Sequence, residues 1–155
     1  MPAYGVRPSS EEDGLIAAWF SVEFQGAIAG VFRECSALGS QHDVVTYNGT
    51  SEKGMQVTNK LPGNLKFSPI TLKRGLTDNQ DFWEWHKTAA IDGDVVAARK
   101  SGTITMYSPK RTAVAKWEFH NAWPSKVTGP TFDASSNNVA IEELTIVYED
   151  YRRTQ

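Results

Sequence analysis

The sequence predicts a mainly β fold, a sandwich or barrel-like subunit with one flanking α-helix. Most apolar segments alternate with polar residues at the two-residue period of strands, and only residues 78–90 show the three- and four-residue spacing of a helix. Turn residues separate these segments at short intervals. A chain of 155 residues is the size of one domain. We therefore expect a single domain over residues 15–155.

The first 14 residues lack hydrophobic periodicity. They contain Pro2, Pro8 and the acidic run 11–13, a composition that predicts a flexible N-terminal arm. The following segment, residues 15–24, alternates apolar and polar side chains, which indicates a half-buried strand with a largely polar back.

Two further short strands are predicted at residues 31–38 and 42–47. After them, residues 48–64 are dominated by Gly, Ser, Thr, Asn, Lys and Pro, which predicts a loop. Loops longer than about 12–15 residues in a compact domain are usually functional or disordered. We expect residues 48–64 to form an extended docking loop.

A strand that leads into the helix lies at the centre of the sequence. Ile70 and Leu72 alternate with polar residues, as in a strand with one buried face. Thr77 is a suitable N-cap for the helix, and Gln80 completes the pattern of a capping box. The helix is therefore predicted to begin at Asp78.

The predicted helix has one apolar face and one tryptophan, Trp83, that lies outside this face. Phe82, Trp85, His86 and Ala89 recur at helical spacing, so this face is expected to be buried. Trp83 points about 100° away from Phe82 on an ideal helix. This geometry predicts that Trp83 faces solvent or another chain.

The C-terminal half is expected to contain a hairpin and a last strand. Residues 103–107 and 112–123 alternate in polarity around a four-residue turn, and Pro124 is expected to end the second strand. In the last strand, Leu144, Ile146 and Tyr148 are expected to oppose Glu143, Thr145, Val147 and Glu149.

Composition excludes several classes of function. The chain has 16 basic and 18 acidic residues, a formal net charge of −2 and no basic footprint for nucleic acid or anionic lipid. The single Cys35 excludes an internal disulfide. No segment has the length of a membrane span or the pattern of a signal peptide, so we expect no membrane anchor and synthesis in the cytoplasm.

The residues do not form a persuasive catalytic or metal-binding pattern. The three histidines fall on different predicted elements, without metal-ligand spacing. His42 and Asp43 are neighbours on a predicted strand and point to opposite faces, so they cannot form a hydrolase triad with Ser36. We expect no enzyme activity, no metal and no cofactor. Five Trp, five Tyr and seven Phe instead favour self-association.

Several short motifs occur in an order that resembles a known family. They span about residues 15–151, and Ala37 stands where the family usually has glycine. The motifs are residues 20–24 (FSVEF), 30–36 (GVFRECS), 59–64 (NKLPGN), 70–75 (ITLKRG), the Trp83 and Trp85 pair, 117–124 (WEFHNAWP) and 139–144 (VAIEEL). Together they resemble the tail tube (inner tube) proteins of contractile injection systems, which comprise the T4-type phage tail tube family and its relatives in phage-tail-like particles.

The resemblance implies a structural role without turnover. Six subunits would join their sheets into one ring, and rings would stack into a hollow tube that is driven through a target envelope when the sheath contracts. The implied partners are sheath protein, baseplate or spike proteins, tube-terminator protein, and DNA or protein toxin in the lumen. The implied location is an assembled phage tail or phage-tail-like particle made in the bacterial cytoplasm, with release from the cell left open.

Two sets of residues follow as expectations from the resemblance combined with the strand pattern. The expected lumen-facing residues are the polar backs of the first and last strands, namely Ser21, Glu23, Gln25, Glu143 and Thr145. The expected subunit or ring contacts are Asn48, Gly49, Glu52, Lys53, Lys60 and Trp83.

An alternative hypothesis is a monomeric β-barrel that binds a small ligand. Its first candidate pocket residues are Glu34, Trp117 and His120.

Overall fold

A computed structural model of the chain describes residues 19–25, 32–36, 38–135 and 137–155. The expected N-terminal arm, residues 1–14, lies outside the described residues. The strands are β1 (Trp19–Phe24), β2 (Glu34–Ser36), β3 (Ser40–Thr50), β4 (Gln56–Phe67), β5 (Ile70–Gly75), β6 (Lys100–Tyr107), β7 (Ala113–Thr128), β8 (Ile141–Val147) and β9 (Asp150–Arg153). The helical elements are α1 (Asp81–His86), a π-helical turn (Lys87–Ile91) and α2 (Val95–Ala98).

Seven strands form one sheet, and two form a separate hairpin. The sheet has the order β1-β6-β7-β8-β5-β2, with β9 paired to β7, while β3 pairs only with β4. Strand β7 bends within the sheet: its first part pairs with β6 and β9 and its last part with β8. Asn121 has a φ of 53° at this bend. Along its described strands the sheet is an open path that ends at β1 and β2, so it does not close into a barrel. The predicted mainly β class is confirmed.

The core lies on one side of the sheet and is covered by α1. Ile70 and Leu72 of β5 are fully buried beside Leu144 and Ile146 of β8. Phe82 of α1 is also fully buried in this cluster. The predicted alternation of β5 is confirmed, because every second side chain of the strand is buried.

The helical region differs from the predicted single helix over residues 78–90. Helix α1 begins at Asp81, after the N-cap Gln80, which makes no side-chain capping hydrogen bond. The Asn79 side chain, just before the cap, accepts a hydrogen bond from the Asp81 amide at 2.8 Å. Thr77 does not cap this helix; its hydroxyl accepts from the Asn79 amide at 3.3 Å in a local turn. The burial of Phe82 and Trp85 is confirmed.

Helix α2 was not predicted. Its N-cap is Asp94, whose carboxylate accepts from the Ala97 amide at 3.0 Å. This capping interaction explains why residues 95–98 are helical although Val95 and Val96 favour strands.

The predicted long loop over residues 48–64 is wrong. Strands β3 and β4 form a long antiparallel hairpin, and only residues 51–55 lie in its turn. Proline and glycine suggested a loop, but Pro62 and Gly63 lie next to a register irregularity opposite Asp43, where they are tolerated.

Pro124 was also misinterpreted as the end of a strand. Strand β7 continues through Pro124 to Thr128. Pro124 pairs with Ile146 immediately before a register shift in the ladder. Proline is compatible with such an irregularity because the regular hydrogen-bond pattern is interrupted there.

We predict that Gly63→Ala destabilises the hairpin. A Cβ at this position would lie 2.9 Å from the Asp43 carbonyl oxygen, so the backbone must shift. Overpacking of this kind typically costs about 1–3 kcal/mol. Hydrogen–deuterium exchange should therefore accelerate in β3 and β4. Gly39→Ala is the control, because its Cβ would meet only the Ser68 hydroxyl at 3.6 Å. Unchanged exchange in the Gly63 variant would contradict the predicted clash.

Candidate assembly surfaces

The β3–β4 hairpin has one apolar side. Paired residues of an antiparallel ladder share a face, and Val45 pairs with Leu61, Tyr47 with Asn59 and Gly49 with Val57. The four large apolar side chains of this side are 50% (Val45), 59% (Tyr47), 38% (Val57) and 54% (Leu61) exposed. We call these four residues the apolar hairpin face.

Toward the turn, the other side of the hairpin is polar, whereas next to the register irregularity it carries Val44, which is 64% exposed and pairs with Pro62. Thr46 pairs with Lys60, and Asn48 pairs with Thr58. The Thr58 hydroxyl donates to the Asn48 side-chain oxygen at 3.1 Å. The side chains of this surface therefore satisfy one another or face water.

The hairpin is anchored to the sheet only near its base. Phe67 packs against Tyr148 and Tyr151, with ring centroids 5.7 Å apart in both pairs, and the Tyr148 hydroxyl donates to the Gly39 carbonyl at 3.4 Å. Among the described elements, β3 and β4 contact each other far more than any other element. An isolated two-stranded hairpin is at best marginally stable in water, and the described part of the chain leaves the apolar hairpin face uncovered.

The structure separates the residues expected to form contacts. Asn48 and Lys60 lie on the polar side of the hairpin, and Gly49 lies on the apolar side. Glu52 and Lys53 lie in the turn. Sequence analysis missed the apolar hairpin face, although its residues alternate with polar ones on both sides of the turn, which is the signal of a hairpin.

The expected lumen residues fall into two polar patches, both on the side of the sheet away from the core. In the first, Ser21 and Glu23 of β1 pair with Thr105 and Thr103 of β6. Gln25 follows at the end of β1, where its amide donates to the Ser101 carbonyl at 2.9 Å.

The second polar patch lies on β8 and β5. Glu143 pairs with Lys73, and Thr145 pairs with Thr71. Lys73 also forms an ion pair with Glu34 of β2 at 3.6 Å. Strands β6 and β7 lie between the two patches in the sheet order, so the patches occupy separate parts of the surface.

The two ends of the sheet are open edges within the described part of the chain. Strand β1 pairs only with β6, and β2 pairs only with β5. Near one edge, Trp19 stacks on Tyr107 with ring centroids 3.9 Å apart. Unpaired backbone groups at such edges can template pairing with another chain.

Trp83 lies on the surface of α1, as predicted, and is 42% exposed. Behind it, the buried Arg74 donates from Nε to Glu142 and from Nη2 to the Asn79 carbonyl at 3.2 Å. The Arg74 guanidinium also lies 3.7 Å from the centroid of the Phe82 ring. This buried ion pair connects β5, β8 and α1 and was not anticipated from the sequence.

The structure does not bring the residues of the ligand-binding alternative together. Glu34 lies on β2 at one end of the sheet, whereas Trp117 and His120 lie on β7. His120 contacts the Ser101 hydroxyl at 3.3 Å, and the Arg153 guanidinium lies 5.7 Å from the Trp117 ring. These three residues do not line a common pocket.

Cys35 is not suited to nucleophilic chemistry, because burial raises its pKa to about 11. At neutral pH the thiol is therefore protonated, whereas the thiolate is the reactive form. Within the described ranges, no group of three or more His, Cys, Asp or Glu side chains is placed to hold a metal ion. Within the same ranges, no helix has the length and apolarity required to cross a membrane.

Solved structures share this fold at low sequence identity. A chain of the PVC sheath–tube complex, from an extracellular contractile injection system in the extended state, matches at a TM-score of 0.72 with 24% identity, over 93% of each chain. A chain of the anti-feeding prophage tube-terminating cap matches at 0.72 with 22% identity, over 98% of each chain. Hcp1 from Flavobacterium johnsoniae matches at 0.57 with 16% identity, over 88% of this chain and 94% of that one.

Sequence comparison gives the family. No curated protein matches the chain. The sequence profile of the family "T4-like virus tail tube protein gp19" matches residues 17–152, which is most of the chain. The chain therefore belongs to the T4-like tail tube family and is a structural subunit of the tail tube type.

Proposed function

We propose that residues 15–155 act as one tube domain, that six copies close into a ring, and that the rings stack into the hollow inner tube of a contractile injection system. The observation that carries this proposal is the apolar hairpin face, which is uncovered in the single chain. Family membership and the fold shared with injection-system proteins support the same conclusion.

The apolar hairpin face is proposed to pack on a neighbouring copy. Complete burial of a Val or Leu side chain contributes about 1.5–3 kcal/mol, and these side chains are roughly half exposed. Four of them together can supply several kcal/mol for each contact. Because a ring repeats the same contact between all its subunits, this contribution recurs around the ring.

The open edges of the sheet are proposed to join between copies. Pairing the free edges of β1 and β2 with those of neighbours would satisfy backbone groups that water solvates in the single chain. It would also turn separate sheets into a continuous wall, which removes exposed edges.

The two polar patches are proposed to line the lumen. Both lie opposite the core, as expected for a wall with a wet inner face. Ser21, Glu23 and Gln25 would contribute one part of this surface, and Glu143 and Thr145 another. The second patch carries both signs of charge through Glu143 and Lys73, and Glu23 adds a negative charge to the first. We propose that this surface lines a hydrated passage for DNA or protein toxin.

The remaining partners follow from this assignment. We propose that sheath subunits surround the tube before contraction, and that baseplate or spike proteins and a terminator protein cover its ends. The protein would be made in the bacterial cytoplasm and function in an assembled phage tail or phage-tail-like particle. Its action would be assembly and passage through an envelope, without catalysis.

Electron microscopy of the purified chain tests the proposal. At high concentration we expect sixfold rings or hollow tubes, since each subunit presents the apolar hairpin face and two open sheet edges. In a map that resolves side chains, the two polar patches should face the channel. Monomers at every concentration would contradict the assembly, and a tube with these patches outside would contradict the lumen assignment alone.

A further inference from the structure

Strand β9 provides a third open edge, in addition to those of β1 and β2. Within the described ranges β9 pairs only with β7. The pairing continues beyond the strand, where the Thr154 amide donates to the Lys116 carbonyl at 2.8 Å. Strands β1, β6, β7 and β9 therefore form a four-stranded part of the sheet, and its two outer strands are β1 and β9.

The directions of these strands allow one copy to be joined to the next. Each neighbouring pair among the four strands is antiparallel, so β9 runs opposite to β1. Successive copies in a ring are related by a rotation, which keeps the direction of every strand relative to the ring axis. When β9 of one copy lies beside β1 of the next, the two strands are therefore antiparallel and continue the alternation of the sheet.

The unpaired backbone groups of the two edges have the same phase. Successive residues of a strand direct their amide and carbonyl groups to opposite sides. At the end of β1 the Gln25 amide donates to β6 at 2.9 Å, and just after β9 the Thr154 amide donates to β7 at 2.8 Å. Alternate residues therefore direct their backbone groups to the open edges. These residues are Phe20, Val22 and Phe24 of β1 and Tyr151 and Arg153 of β9.

These edge-directed residues also share the core side of the sheet. Val22 and Phe24 are buried, and Phe20 and Tyr151 are partly buried against the core. Directly paired residues of an antiparallel ladder lie on one face. Pairing β9 with β1 of the next copy therefore places core-side residues opposite core-side residues and polar residues opposite polar residues. The hydrogen-bond pattern and the side-chain faces agree at the same time.

The charges on the polar face of the two edges are complementary. A row of paired residues crosses the four strands on this face. It consists of Glu23, Thr103, Glu118 and Arg152. Glu23 and Arg152, at the two ends of the row, are exposed, and none of the ion pairs among the described residues involves either of them. When β9 overlaps β1 of the next copy along its length, Arg152 lies opposite or diagonal to Glu23, within reach of an ion pair.

We propose that β9 of one copy pairs antiparallel with β1 of the next copy in the ring. This inference rests on the proposed function and specifies which edges meet. The joint consists of a backbone ladder, a core-side contact of Tyr151 with the neighbouring β1, and the Arg152–Glu23 ion pair. Strand β2 has only three residues, offers a shorter ladder and is not part of this joint.

Replacement of Arg153 by proline tests the joint. The Arg153 amide points to the open edge, so Arg153→Pro removes a donor of the proposed ladder and leaves the hydrogen bonds to β7. Proline is tolerated in an edge strand at such a position. Arg153→Ala is the matched control, because it removes the same side chain, with its contacts to Trp117 and Gln155, and keeps the amide.

Sedimentation velocity compares the assembly of these two variants, and circular dichroism compares their folding. We expect the subunit contact to be at least about tenfold weaker in Arg153→Pro than in Arg153→Ala. Equal assembly of the two folded variants would overturn the proposal.

Hydrogen–deuterium exchange of the wild-type chain is a second measurement that does not depend on the folding of a variant. Assembled chains should exchange more slowly than dissociated chains both in β1 and in residues 150–155. Slower exchange in β1 with unchanged exchange in residues 150–155 would show that β1 meets another edge, which overturns this inference and leaves the proposed tube intact. Monomers at every concentration would contradict both the tube and the joint.

Discussion

The double variant Val45→Ser and Leu61→Ser is expected to remain folded and to lose ring and tube formation. These residues pair across the hairpin on its apolar face and are half exposed in the single chain. Their removal therefore leaves the core of the sheet intact. Each contact with a neighbour should lose about 2–4 kcal/mol of apolar burial, which corresponds to roughly 30-fold or more in its association constant.

The matched control is Thr46→Ser with Thr58→Ser. Both residues lie on the polar side of the same hairpin, and neither is among the expected contacts. Sedimentation velocity and electron microscopy should show wild-type assembly for the control and monomers for the apolar variant. Equal assembly of the two variants would show that the apolar hairpin face is not the contact. Equal loss of assembly would indicate that hairpin stability, rather than one face, was affected.

Arg74→Met is expected to destabilise the fold by about 3–5 kcal/mol, because it leaves Glu142 as a buried charge without its partner. The Arg74 and Glu142 side chains are only 5% and 1% exposed. The substitution also removes the hydrogen bond to Asn79 and the contact with Phe82, so the start of α1 loosens. Urea unfolding followed by circular dichroism measures this loss, provided that the chain is studied as a monomer.

Two further variants distinguish the destabilisation caused by an unpaired buried charge from that caused by lost packing. Lys73→Met removes the neighbouring ion pair with Glu34, whose side chains are 36% and 55% exposed, and exposed pairs contribute only about 0–1 kcal/mol. The double variant Arg74→Met with Glu142→Gln should recover part of the lost stability, because the unpaired charge is removed. A single Arg74 variant as stable as Lys73→Met would refute the expected role of the buried pair.

The interpretation of residues 48–64 shows where local pattern was insufficient. A stretch rich in Asn, Thr, Gly and Lys resembles a loop, but its strands pair only with each other and keep one polar side in water. Gly63 is required because a Cβ at this position would lie too close to the Asp43 carbonyl oxygen. Gly63 therefore marks an irregularity within the hairpin and not a loop. The alternation of apolar residues on both sides of the turn could have indicated the hairpin, but the exposure of its apolar side is visible only in the structure.

The sequence by itself determined the mainly β class, the alternating strands β5 and β8, the buried face of α1 and the family. These features rest on short-range periodicity or on motif order, both of which are visible along the chain. Only the tertiary structure decided the partners: the Arg74–Glu142 pair joins residues 68 positions apart, and the apolar hairpin face depends on cross-strand register. Long-range pairing depends on which surfaces can be buried together. The free energy gained by that burial depends on residues far apart in the sequence, so no local stretch of residues encodes it.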